Sequence, residues 1–409
     1  MTEDRAIDRA EKSRGARTAV TVFLVLTVGG LAAFIAGVLG PHPERAWQAY
    51  LINFLLWTGL ASGGVLFSAI MQATGARWSG RMAGIAEAFS AFFPVSFVLF
   101  LILFFGQSYL FPWLHEDLHG KEAWLNVPFL FTRDAAGLLV LYGVGFRYLY
   151  NSLQLRFGGA SAGGRRFREG LQRRWAGRRI DEAAVRRRAT FWGLLYCFCF
   201  VLVMSLIGYD LVMAADPHWI STLFGAYSFV KAIYLGLGGL IITASVLYLK
   251  NGPASGLTTD HFHDVGKLFF AFCLVWGDFF YAQLVVIWYG NISEETAYVV
   301  ERTMLAPWNR AAWAVLLICF VGPFLILINK KIKTVPMAMI VLCTAVVLGM
   351  YLEHMLLLAP AISHSPANIP IGIVDLFVFL GFFGLMAASL ATFMTEFPEV
   401  ARVRKREAN

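Results

Sequence analysis

Residues 48–73 read QAYLINFLLWTGLASGGVLFSAIMQA and contain no charged side chain. A bilayer's hydrocarbon core is about 30 Å thick, so a helix needs about 20 consecutive apolar residues to cross it. This stretch meets that length. Outward from it, nine more apolar blocks of similar length follow one another, separated by short charged segments. Composition agrees: 58% of the 409 residues are hydrophobic and 15% charged, against about 45–50% and about 25% in soluble domains.

The blocks predict ten transmembrane helices and an all-α polytopic fold. The first runs Thr18 to Gly40, the second Gln48 to Ala73, the third Gly80 to Gly106, the fourth Phe129 to Tyr150 and the fifth Thr190 to Ala215. The others run Trp219 to Leu249, Val265 to Tyr289, Trp308 to Asn329, Thr334 to Leu358 and Ile371 to Glu396. Residues 1–17 and 397–409 read as tails, and 151–189 as an Arg-rich loop within the membrane domain. The apolar run after the N-terminal tail is too long for a cleavable signal.

Of the 34 Lys and Arg residues, 28 fall on one side of this ten-span scheme and 5 on the other, with Lys231 inside a helix. The positive-inside rule makes the 28-residue side cytoplasmic, together with both termini. The formal net charge of +8 is therefore a topology signal, and nucleic acid is not an expected partner. The stretch RRFREGLQRRWAGRRIDEAAVRRR, from Arg165, sets topology and could also lie as a basic amphipathic helix on anionic lipid. The external segments around Trp113 to Trp124 and Gly290 to Trp308 are long enough to dock a partner.

A weak internal repeat joins the second and sixth helices. AYLINFLLWTGLASGG from Ala49 matches AYSFVKAIYLGLGGL from Ala226, with Gly59-Leu60 against Gly236-Leu237. Both helices run the same way, so the repeat is parallel. It predicts two four-helix bundles, helices two to five and six to nine, flanked by helices one and ten.

Ionisable groups inside a membrane are costly and are functional candidates by default. Lys231 lies twelve residues into the sixth helix and Asp278 eleven residues from the outer end of the seventh. At about 1.5 Å per residue their depths agree within ~2 Å. They are expected to face each other, as a structural ion pair or as a proton relay. Glu87 sits near the inner end of the third helix, and His261, His263 and Asp264 beside the inner end of the seventh. Asp134, Asp210, His218, Glu353, His354 and Asp375 lie in the outer half. Together with Glu87, Lys231 and Asp278 these six are the proton-transfer candidates. Asp216, ahead of Pro217, is expected to N-cap the sixth helix.

No redox metal is expected on this chain. Cys197, Cys199, Cys273, Cys319 and Cys343 all lie in apolar blocks without CxxC spacing, so iron–sulfur and c-type haem attachment find no ligands. A haem b needs paired histidines at depth, and only His354 stands clearly within a helix. No phosphate-binding glycine loop follows a strand, which argues against nucleotide chemistry. His115 and His119 of the external HEDLH form a possible metal pair, but an isolated pair in a loop is a weak site.

Two stretches carry a family resemblance: DPHWISTLFGAY from Asp216, and DVGKLFFAFCLVWGDFFYAQLVVIWYGNISEET from Asp264. They resemble the second quinone-type membrane subunit (ActF type) of alternative complex III, a bacterial quinol:cytochrome c oxidoreductase of the respiratory chain. The wider family is the polysulfide-reductase (NrfD-like) membrane subunit, whose members hold two four-helix bundles. The resemblance implies electron transport in the bacterial inner membrane, with quinol oxidation linked to proton translocation. It places haem and iron–sulfur centres in partner subunits and implies a homologous membrane subunit alongside. Whether this chain binds quinol itself stays open, and no quinone ligand is assigned. Two other readings remain: a quinone-binding membrane anchor of a molybdenum/iron–sulfur reductase, and a secondary transporter using Lys231 and Asp278.

Overall fold

The computed structural model describes residues 2–401 apart from 77, 116, 117, 119, 159–165, 176–180 and 363–368. Among them it holds ten helices long and apolar enough to cross a membrane, and no strand. They are α1 (Val20–Val38), α2 (Pro43–Ala73), α3 (Gly80–Leu110), α4 (Val127–Phe157) and α5 (Glu182–Ala215). The second five are α6 (Phe224–Ser255), α7 (Thr259–Gly290), α8 (Trp308–Ile328), α9 (Pro336–Ile362) and α10 (Ile373–Glu396). The ten apolar blocks are thus ten helices. Arg165, Arg178 and Arg179 of the basic loop, and His119 of the histidine pair, lie outside the described residues.

Helix starts follow local capping chemistry. At α4 the Asn126 side chain accepts the Phe129 N–H at 3.0 Å, with Pro128 in the first turn. At α5 the Asp181 carboxylate accepts the Ala184 N–H at 3.1 Å. α7 begins six residues earlier than its apolar run, because Thr258 and His261 close a capping box around its first turn. His261, His263 and Asp264 are therefore helical. α6 begins later than expected, at Phe224 rather than Trp219. Asp216 does not cap it: residues 216–219 form a turn in which the Asp216 carbonyl accepts the Trp219 N–H.

α2 is buried along nearly its whole length and is the central helix. It packs on α6, α5, α3 and α9, while α4 packs on α5, and α7 and α9 pack on α6. The two helices joined by the sequence repeat, α2 and α6, touch backbone to backbone. A Cβ on Gly63 would lie 2.0 Å from the Ala232 carbonyl oxygen, and one on Gly236 2.2 Å from the Gly63 carbonyl carbon. Small residues at such crossings let helices in lipid gain close packing, the main attraction available where solvent is already apolar. α1 and α10 form a second such pair, in which a Cβ on Gly30 would meet the Gly381 Cα at 2.5 Å.

Among the described residues, two further helices of ten or more residues lie outside these spans. Arg166–Trp175, from the basic loop, is anchored by Arg168, 2.8 Å from Glu399, and by buried Trp175. Ser293–Thr303 covers the opposite end of the molecule and buries Arg302. The first end, which carries the basic loop, is called the basic end below, and the second the far end.

Candidate functional site: buried ionisable clusters

Among the described residues, three groups of ionisable side chains buried between the spanning helices stand out. The first joins α6 to α9. Lys231 Nζ stands 3.1 Å from Glu353 Oε2 and donates to Oε1 at 3.3 Å, while the Tyr227 hydroxyl donates to the same Oε1. Lys231 is 5% exposed and Glu353 0%. The register explains the contact: Tyr227 and Lys231 are one turn apart on α6 and converge on a single carboxylate. His354, also buried, holds its Nδ1 2.8 Å from the Met350 carbonyl. His354 and Lys231 share a cavity of about 30 Å³ with Ser228, enough for one water molecule.

At the far end this cluster meets a pocket of about 90 Å³ lined by Trp219, Tyr227, Gln283, Tyr298 and Arg302. Arg302 lies 3.4 Å above the Tyr298 ring, which stacks on Trp219 at 3.9 Å. Burial pushes the Tyr298 hydroxyl up to about 12, against the pull of the Arg302 charge. Arg302 also donates to the carbonyls of Tyr298 and Leu357, at 3.1 Å each, fixing the Ser293–Thr303 helix to α9.

The second cluster joins α4 to α5 near the far end. Arg133 grips Asp210 with two bonds of 2.6 Å, the bidentate geometry that suits a planar guanidinium. The Trp124 indole donates to Asp210 at 3.2 Å, and its ring lies 3.9 Å from the Arg133 guanidinium. Asp134 stands beside Asp210, fully buried, and among the described residues no other group donates a hydrogen bond to its carboxyl oxygens. Two carboxyl groups here share one guanidinium.

The third cluster joins α2, α3 and α4 toward the basic end. Glu87 Oε1 accepts from Ser152 at 2.6 Å, Ser68 at 3.0 Å and Arg156 at 3.0 Å. Ser68 lies 2.8 Å from the Tyr148 hydroxyl. Between the second and third clusters, Tyr142 bonds Ser96 at 2.8 Å and Ser96 bonds Thr58 at 2.7 Å.

The expected pairing of Lys231 with Asp278 is not formed. α7 turns Asp278 to its exposed face, and Lys231 takes Glu353 from α9. His218 is exposed in the turn before α6. Asp375 accepts the Gly372 N–H at 2.9 Å and so caps α10. The remaining candidates, Glu87, Asp134, Asp210, Glu353 and His354, all line the clusters above. Sequence reading missed Tyr227, Tyr142, Tyr148, Ser152 and Arg156. Their signal was the recurrence of hydroxyls and one base on one face of α4 and α6, inside runs that count as apolar.

The chain matches no family model, and no curated protein matches it. Fold and clusters define a class: a polytopic α-helical membrane protein with ionisable groups buried between its helices.

Proposed function

We propose that this chain is an integral subunit of a quinol:cytochrome c oxidoreductase of the alternative complex III kind, in the bacterial inner membrane, and that it conducts protons. The observation that carries the proton-conducting part is the inward face of α4. Asp134, Tyr142, Tyr148 and Ser152 are buried along it, and Arg156 closes it at the basic end. From 134 to 156 the ladder spans 22 residues, or about 33 Å at 1.5 Å per residue, the thickness of the hydrocarbon core. A lipid-facing helix has no use for such a row, since burying each hydroxyl or carboxyl group is costly.

On this reading the basic end faces the cytoplasm, with both termini. Glu87 takes up a proton there, and Ser68 links it to Tyr148. From there the path needs water to bridge Tyr148, Tyr142 and Asp134 before it reaches the Asp134–Asp210 pair. In the other half, Tyr227 lies between the far-end pocket and Glu353. A quinol hydroxyl brought to that pocket would face Tyr227 and pass its proton to the carboxylate. Electrons go to haem and iron–sulfur centres of partner subunits.

Purification in mild detergent, followed by reconstitution with a trapped pH indicator, tests the proposal. Haem- and iron–sulfur-bearing partners are expected to co-purify. Glu87→Gln is expected to keep the subunit content and lower quinol-driven proton movement at least tenfold. Wild-type proton movement in both Glu87→Gln and Asp210→Asn would refute the path. A chain that purifies alone would refute the oxidoreductase reading and favour a transporter.

A further inference from the structure

The buried clusters set a rule that one residue breaks. Glu87, Asp134, Asp210, Lys231, Glu353 and Asp375 are all turned inward. Asp278, by contrast, lies on the outer face of α7, among exposed Leu274, Val275 and Tyr281. Among the described residues it makes no hydrogen bond and no ion pair. It is not near a helix end. Trp288 and Tyr289, 73% and 83% exposed, mark the interfacial level of α7. Asp278 lies ten residues below Trp288, about 15 Å, at the middle of a core about 30 Å thick. Snorkelling to the surface, open to a long Lys or Arg, is out of reach for the short Asp side chain. A carboxylate in that position faces hydrocarbon unless another protein covers it.

We infer that the outer face of α7 around Asp278 is the seat of a transmembrane helix from a different chain, which brings a basic side chain to mid-bilayer depth opposite Asp278. Charge decides the occupant. A second copy docked by two-fold symmetry through this face would set Asp278 against Asp278, two like charges in a medium that screens them poorly. Lipid offers no donor at that depth. A basic residue on a foreign helix offers the complement, the same solution that α6 and α9 use internally with Lys231 and Glu353. The inference rests on the depth and exposure of Asp278. It needs a membrane assembly but not the redox chemistry proposed above.

The test uses the assembly purified from its own membranes. Photo-reactive benzoylphenylalanine replaces Tyr281, one turn from Asp278, and the cross-linked peptide is sequenced. The expected product is a transmembrane segment of another subunit with Lys or Arg near its centre. Asp278→Lys is expected to lower co-purification of that subunit at least tenfold, and Glu in place of the partner's basic residue is expected to restore it. Asp278→Leu, apolar on an exposed face, keeps the chain folded by size-exclusion profile and is also expected to lose the partner. Cross-links to lipid alone or to a second copy would overturn the inference, as would full partner stoichiometry in Asp278→Leu. The readout is the identity of a neighbouring helix, so it stands apart from quinol turnover.

Discussion

Lys231 and Glu353 form the pair whose removal is most open to calculation. At 3.1 Å and an effective dielectric constant of about 20, two unit charges attract by roughly 5 kcal/mol. Deleting one partner of a buried pair leaves the other uncompensated and costs about 3–5 kcal/mol. Lys231→Met and Glu353→Met should therefore each lower the folded-to-unfolded ratio by about two to four orders of magnitude. Replacing both should recover most of the loss, because two apolar side chains of similar volume need no partner. One residue complicates the cycle: the double variant strands the Tyr227 hydroxyl, which donates to Glu353. An unsatisfied buried donor costs about 1–3 kcal/mol, so the double variant is best compared with one that also carries Tyr227→Phe. The assay is reversible unfolding in mixed micelles, read as a double-mutant cycle. The expected coupling energy is about 3 kcal/mol or more. Single variants that each lose under about 1 kcal/mol and add without coupling would refute the pair as a structural tie.

Three other outcomes follow from the same geometry. Gly63→Leu should separate α2 from α6, since even a Cβ would lie 2.0 Å from the Ala232 carbonyl; a loss of at least about 1–3 kcal/mol should appear as aggregation on size exclusion. Arg133→Met strips Asp210 of both its 2.6 Å bonds and leaves two buried carboxylates side by side, so it should destabilise more than Arg133→Met combined with Asp210→Asn, by thermal melting in detergent. A Cys in place of Glu169 should resist an impermeant thiol reagent in intact cells, whereas a Cys in place of Glu122 should react; the reverse pattern would invert the topology.

The helices were legible because a bilayer demands an apolar run of fixed length, and each of the ten blocks supplies one. Facing was not legible. The rise per residue ranked Lys231 and Asp278 at one depth, but depth says nothing about rotation around the axis, and Glu353 on α9 competes at a similar level. Burial of α6 against α9 settles which carboxylate Lys231 meets. The α4 ladder stayed hidden for a different reason: Tyr142 and Tyr148 add to the hydrophobic count, and their hydroxyls acquire meaning only beside Ser96 on α3 and Ser68 on α2. The turn at Asp216 resembled a helix cap in sequence. Its ion pair with Arg302, 4.0 Å away on the Ser293–Thr303 helix far along the chain, could not be foreseen from spacing.

The contact between α1 and α10 has a consequence for biogenesis. α1 buries little of its own surface apart from what α10 and the start of α2 cover, yet about 350 residues separate Gly30 from Gly381. At a synthesis rate of about 5–20 residues per second, α1 waits roughly 20–70 seconds for its partner. During that interval its glycine face is open to other helices or to quality-control proteases. A truncation just before α10 would therefore be felt first at α1, which would never find its seat.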